Sequence, residues 1–189
     1  MFFEHPLITA DNRRAAIHHA TPLTAHAPSH AVEEFDARWL ANWGNAIPLG
    51  WSMRDVPNVS RYRRHLRKDN GRGWRNLSQY QEASNRLAVA VKRFITLNRA
   101  AQLIAIDWRR DYSSGWVRLA FPEATFLRRF AQDGARGALW ISPVPPVESF
   151  HAAVDLILLD AADFLLVSSD FTRALSPYDG GIDYFRSAL

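Results

Sequence analysis

Apolar positions recur at helical spacing in three places along the chain. From Val32 onward, Phe35, Trp39, Leu40 and Trp43 repeat every three or four residues while Glu33, Glu34, Asp36 and Arg38 take the other face. This pattern predicts an amphipathic helix that Gly44 stops. Glu82 to Asn98 gathers Leu87, Val91, Phe94 and Ile95 into one stripe, and Val147 to Ala162 does the same with Phe150, Val154, Ile157, Leu158 and Ala161. These two segments are the expected main packing helices. Ala124 to Gln132 has the composition of a further short helix.

Shorter apolar runs bounded by turn residues predict strands. Leu103–Trp108, Trp116–Phe121 and Gly137–Ile141 are of this kind, the last closed by Pro143, Pro145 and Pro146. In Pro48–Arg54 the alternation of Leu49, Trp51 and Met53 predicts a half-buried strand. Phe164–Ser168, Ala174–Ser176 and Ile182–Phe185 are separated by Ser169-Asp170 and Asp179-Gly180-Gly181. They predict a three-strand meander, because Asp-Gly supplies the positive φ a tight hairpin needs. Pro177 cannot donate to a ladder and so points to an edge strand or a bulge. Helix and strand signals mix without strict βαβ alternation. The expected class is therefore α+β, an antiparallel or mixed sheet with two main packing helices and a C-terminal β-meander.

At 189 residues the chain fits one domain with a tail. Residues 1–30 carry His5, His18, His19, His26 and His30 among prolines and small residues, with no sustained period. They read as a loosely ordered N-terminal arm, leaving 31–189 as a single α+β domain. Metal binding by those histidines would need ligands converging on a rigid scaffold, which this stretch does not supply, so a solvated tail is expected.

Charge changes the picture more than composition does. Of 23 basic residues 21 are arginine; residues 51–118 hold fifteen basic and five acidic side chains, residues 143–189 two and seven. The most basic stretch, 54–75, interleaves Arg54, Arg61, Arg63, Arg64, Arg67, Lys68, Arg72 and Arg75 with Tyr62, His65 and Trp74. Basic plus aromatic is a nucleic-acid pattern. The competing reading is a solvated loop or short helix whose arginines pair with the acidic C-terminal third, and this accounts for both halves of the asymmetry. With no cysteine, disulfides, thiolate nucleophiles, cysteine zinc sites and iron–sulfur clusters are excluded. No apolar stretch reaches the length of a membrane span, and no secretory signal opens the chain, so a cytoplasmic protein is expected.

The familiar catalytic patterns are missing. G-x-S-x-G, G-x-x-x-x-G-K-[ST] and G-x-G-x-x-G do not occur, and no cofactor is expected. His151 and Asp155 stand at i and i+4 of one helix, which is two ligands and not a metal site. Asp170, Asp179 and Asp183 could converge at one end of the meander and hold a metal for phosphodiester hydrolysis, although Asp170 and Asp179 sit where Asp bonds its own backbone.

Ser168-Ser169-Asp170 followed by Ser176-Pro177-Tyr178-Asp179-Gly180-Gly181 and Asp183 resembles the closing P-Y-D-G-G-x-D signature of an uncharacterised bacterial domain-of-unknown-function family. Trp39-Leu40-x-x-Trp43-Gly44 and Leu49-Gly50-Trp51-x-x-Arg54 are similar to its N-terminal half. The resemblance carries no reaction over to this chain; small bacterial α+β proteins of this kind resemble immunity or accessory proteins, encoded beside secreted toxins, that act by clamping a partner. The expected function is accordingly a non-enzymatic, cytoplasmic protein-binding domain, with Tyr178, Asp179, Asp183, Arg61, Arg64 and Trp74 as partner-binding candidates. The alternative is a nucleic-acid-binding protein or metal-dependent nuclease using Arg63, Arg64, Arg67, Lys68, Arg72 and Arg75, with Arg109, Arg110 and Arg118 beside them.

Overall fold

A computed structural model describes residues 27–66, 77–107, 117, 120–132, 135–147, 150–158, 163–178 and 180–188. Among the described residues, three helices and seven strands run in the order α1 (Ser29–Trp43), β1 (Val59–His65), α2 (Leu77–Asn98), β2 (Ala100–Asp107), β3 (Thr125–Gln132), β4 (Ala135–Pro143), α3 (Phe150–Leu158), β5 (Asp163–Ser168), β6 (Arg173–Tyr178) and β7 (Gly181–Ser187). The strands form one antiparallel sheet ordered β1-β7-β6-β5-β2-β4-β3. The α+β class, the antiparallel sheet and the C-terminal meander are thus as the sequence led us to expect.

The centre of the sheet is built by strands apolar on both sides. Leu103 and Ala105 of β2, with Phe164 and Leu166 of β5, join the core under α2 and α3. Ile104 and Ile106, with Leu165 and Val167, join a second core under α1. A near-continuous apolar run signals such burial on two faces. On the first face α2 contributes Tyr80, Ala83, Leu87, Ala90, Val91 and Phe94. On the second, α1 lays Phe35, Trp39 and Trp43 against the sheet. Gly44, at φ 60°, closes α1 and donates its N–H to the Leu40 carbonyl at 3.0 Å. Helix α1 begins at Ser29 and so takes in His30, the last histidine assigned to the arm; residues 1–26 of that arm lie outside the described residues.

Five local expectations are corrected. Pro48–Arg54 is no strand: Ser52–Asp55 is a 3₁₀ turn, and the Met53 N–H bonds the Leu49 carbonyl at 3.1 Å. Both residues are buried while Trp51 between them is exposed, which is the i, i+4 geometry of a helical turn. The run expected as a strand at Trp116–Phe121 is helical at Val117 and Ala120, with Phe121 donating to the Val117 carbonyl. Ala124–Gln132, expected as a helix, is β3. A bulge between Phe126 and Arg128 lets Leu127 and Phe130 face the same core although three residues apart, and this imitates a helical period. The basic stretch, expected as loop or short helix, contributes edge strand β1. Pro177 sits on β6, an interior strand; the β5–β6 ladder pairs only Leu166 with Leu175 and Val167 with Ala174, so the proline lies past its end.

Candidate functional site

Strand β1 pairs with β7 over its whole length, Arg63 opposite Asp183 and Arg61 opposite Phe185. Period-two alternation then sends Arg61 and Arg63 to the α1 side of the sheet and Tyr62 and Arg64 to the α2 side. Asp183 is shared with β6, where it lies opposite Ser176. The 3₁₀ turn brings Arg54 onto the same spot from the α1 layer.

The result is one carboxylate held by three guanidinium groups. Asp183 Oδ2 accepts from Arg61 Nη2 at 2.7 Å and from Arg54 Nε at 3.1 Å, with Arg54 Nη2 at 3.0 Å; Oδ1 accepts from Arg63 Nε at 3.3 Å. The Asp183 side chain is 1% exposed, whereas the three arginines are 26–37% exposed. The acid is the buried post and the arginines are what solvent meets. Three cations on one anion leave an excess of about two positive charges on a rigid frame. Internal pairing between the basic stretch and the acidic C-terminal third is therefore real at this point.

Tyr178 lies beneath this group, its ring centroid 5.5 Å from the Arg54 guanidinium carbon and 6.0 Å from that of Arg63. Burial, and then the Asp183 charge, push its phenol above the usual tyrosine range. Beside it a pocket of about 240 Å³ opens, bounded by Trp51, Arg54, Ile106, Asp163, Ser176 and Tyr178. Gly50 also lines it. A Cβ there would come within 2.0 Å of Ser176 Oγ, so only glycine lets the Leu49–Trp51 loop approach β6 this closely.

Of the partner-binding candidates, the fold brings together Arg61, Tyr178 and Asp183. Asp183 is corrected from surface residue to buried anchor, because a carboxylate with three guanidiniums around it has no face left for a partner. Arg64 stands apart, opposite Ile182 on the other side of the sheet. Asp179 and Trp74 lie outside the described residues, as do Arg67, Lys68, Arg72, Arg75, Arg109, Arg110 and Arg118. The side chains of His151 and Asp155 do too. Sequence reasoning missed Trp51 and Arg54 as members of the site. Their signal was the Leu49-Gly50-Trp51-x-x-Arg54 segment, read for its alternation when its glycine marked a close approach.

The carboxylate convergence considered for a metal is not formed by Asp170 and Asp183. Asp170 lies in the turn before β6 while Asp183 lies on β7 opposite Ser176, and Asp170 serves its own turn, accepting from Ser168 Oγ at 2.5 Å and from the Thr172 N–H at 3.0 Å. The Ser168 hydrogen bond, with Thr172 assisting, holds its carboxyl below the usual range. Among the described residues no three His, Cys, Asp or Glu side chains gather as a metal site would require, and no helix is long and apolar enough to cross a membrane. No family model, no curated protein and no solved structure matches this chain.

Proposed function

We propose that the chain is a non-enzymatic, cytoplasmic bacterial protein-binding domain of the immunity type, engaging an acidic surface of a partner through Arg54 and Arg61, with Trp51 and Tyr178 at the adjoining pocket. The partner in this reading is a cognate toxin. The observation that carries the proposal is the three-to-one cluster on Asp183. It holds arginines in one geometry before any partner arrives, so little side-chain entropy is lost on binding. Arginine and large aromatics beside a pocket are also the side chains that dominate binding energies at protein interfaces. The net positive charge left by the cluster selects an acidic counterpart and steers its approach.

The test is a pull-down with the tagged full chain from nuclease-treated lysate of its own host at about 150 mM salt, the ionic strength at which exposed charges are screened beyond about 8 Å. The expected result is one stoichiometric acidic protein, lost with Trp51→Ala and Arg54→Gln and kept with Val89→Ser, which alters an exposed position on α2. Removal of such anchors is expected to weaken binding roughly thirtyfold or more, equivalent to about 2 kcal/mol. Retention of the partner by the Trp51→Ala, Arg54→Gln double variant, or no stoichiometric partner at all, overturns the reading.

A further inference from the structure

On the opposite face of β1 and β7, between these strands and the C-terminal half of α2, runs a second groove of about 310 Å³. Its walls include Tyr62, Tyr184, Phe94, Asn98, Arg173 and Arg186, and no acidic side chain is among the residues that line it. Tyr62 is 67% exposed, the most exposed of the large hydrophobic side chains among the described residues, although its ring centroid lies only 5.9 Å from that of Tyr184. A tyrosine so exposed on a strand, backed by a second ring, presents a flat apolar face to solvent.

Cations surround that face. Arg64 follows Tyr62 by two on the same side of β1, and Arg186 is on β7 opposite Ser60. Arg64 and Arg93 are close enough to Tyr184 to act on its phenol, pulling down a pKa that burial raises. Among the described residues none of Arg64, Arg93 and Arg186 makes an ion pair. Arg173 is held by Asn98 Oδ1 at 2.9 Å, and its charge also acts on Asp170. The groove therefore differs from the Asp183 cluster in kind. There three arginines share one buried carboxylate; here, among the described residues, Arg64, Arg93 and Arg186 flank an open aromatic platform with no carboxylate paired to them.

We propose that this groove receives a nucleotide unit of a single-stranded nucleic acid, its base stacked on Tyr62 and its phosphates met by Arg64 and Arg186. A planar, uncharged ring next to an anion is what an exposed tyrosine flanked by unpaired arginines complements, and bases stack on aromatic side chains irrespective of sequence. A rigid duplex keeps its bases stacked inside and offers the tyrosine nothing. The stacking and phosphate-binding side chains lie on the other face of the sheet from the protein-binding surface, although Arg61 also lines the groove, and the proposal does not rest on the protein-binding reading.

The probe is a fluorescently labelled oligo(dT) of about ten nucleotides, within the span one small domain covers, titrated with the full chain at low salt by anisotropy. Binding is expected to weaken steeply with salt. Tyr62→Ala should weaken it by roughly ten- to a hundredfold, as loss of one stacked base does, while Tyr62→Phe keeps it. Arg186→Gln should make the slope of log K against log salt shallower by about 0.7, the share of one phosphate on a single strand. A duplex of the same length and a polyglutamate chain should compete poorly. No binding at low salt, equal loss with Tyr62→Ala and Tyr62→Phe, or equal competition by polyglutamate overturns the proposal; a mononucleotide binding as tightly as the oligomer overturns its strand form. Trp51→Ala and Arg54→Gln should leave oligo(dT) binding unchanged, so failure here and failure of the protein-partner reading are read separately.

Discussion

Replacing Asp183 with asparagine keeps the shape of the side chain and removes the charge that three arginines share. At 2.7–3.3 Å each pair attracts with roughly 5 kcal/mol at an effective dielectric near 20, before desolvation and the mutual repulsion of the guanidiniums are charged against it. Breaking a buried pair by removing one partner costs about 3–5 kcal/mol, because the other charge is stranded. Here the stranded groups are 26–37% exposed and recover some hydration, which lowers the figure to about 2–4 kcal/mol. The asparagine amide adds donors where only donors point inward. For a domain of this size the loss corresponds to a fall in Tm of roughly 5–15 °C. The assay is urea unfolding of both proteins at neutral pH, compared through their midpoints at a common slope. Arg61→Met alone should cost less, about 1 kcal/mol, since two guanidiniums still neutralise the acid. The double variant should cost less than the sum of the two, because the cation removed is one that Asp183→Asn had stranded. A loss below about 0.5 kcal/mol for Asp183→Asn, or strict additivity in the double variant, would refute the claim that this cluster is a coupled buried unit.

Two further outcomes follow from individual contacts. Gly50→Ala forces a Cβ to within 2.0 Å of Ser176 Oγ, so the loop must leave β6; a loss of about 1–3 kcal/mol is expected, with the pocket at Trp51 and Tyr178 altered, and calorimetry on the variant checks it. Asp170 has its carboxyl held low by Ser168 and Thr172, so the charged form stabilises the turn above the ordinary carboxylate range and that contribution disappears as pH falls through the lowered value. Asp170→Ala should accordingly be less stable than the native chain at pH 7, with the gap narrowing in acid. Parallel stability–pH curves for the two would show that the hydrogen bonds to Asp170 carry nothing.

What was legible in the chain was decided by period. Helices α2 and α3 and strands β2 and β5 carry apolar side chains at the spacing their elements impose, and their burial confirms it. Strand β3 was hidden by its bulge, and the 3₁₀ turn was hidden because Leu49, Trp51 and Met53 alternate by chance while the fold buries the first and last and exposes the middle one. At the site, Arg61, Tyr178 and Asp183 were picked out as charged or aromatic residues near turns. Their convergence was not legible, since Arg54 and Asp183 meet across 129 residues and no local pattern encodes such a contact. For the same reason the groove of Tyr62 and Tyr184 could not be read, although the interleaving of aromatics and arginines in 54–75 was its trace.

Strand β1 poses a problem of its own. Val59 is its only aliphatic side chain and Tyr62 stands in solvent, so no continuous apolar face fixes how it lies on β7. A slip of one residue would exchange its two faces, carrying Tyr62 to the Asp183 side and an arginine into the groove. What forbids the slip is Asp183: only with Arg63 opposite it do Arg61 and Arg63 both reach the carboxylate. The buried acid therefore sets the register of a polar edge strand and through it the composition of both surfaces, a role for buried polar groups that stability alone would not reveal. Amide exchange separates this role from general weakening. In Asp183→Asn, protection should fall first and furthest in Val59–His65, by at least tenfold more than in β2 and β5, whose pairing rests on two apolar cores. Uniform loss of protection across all seven strands would mean that the acid supports the whole sheet and that β1 finds its register without it.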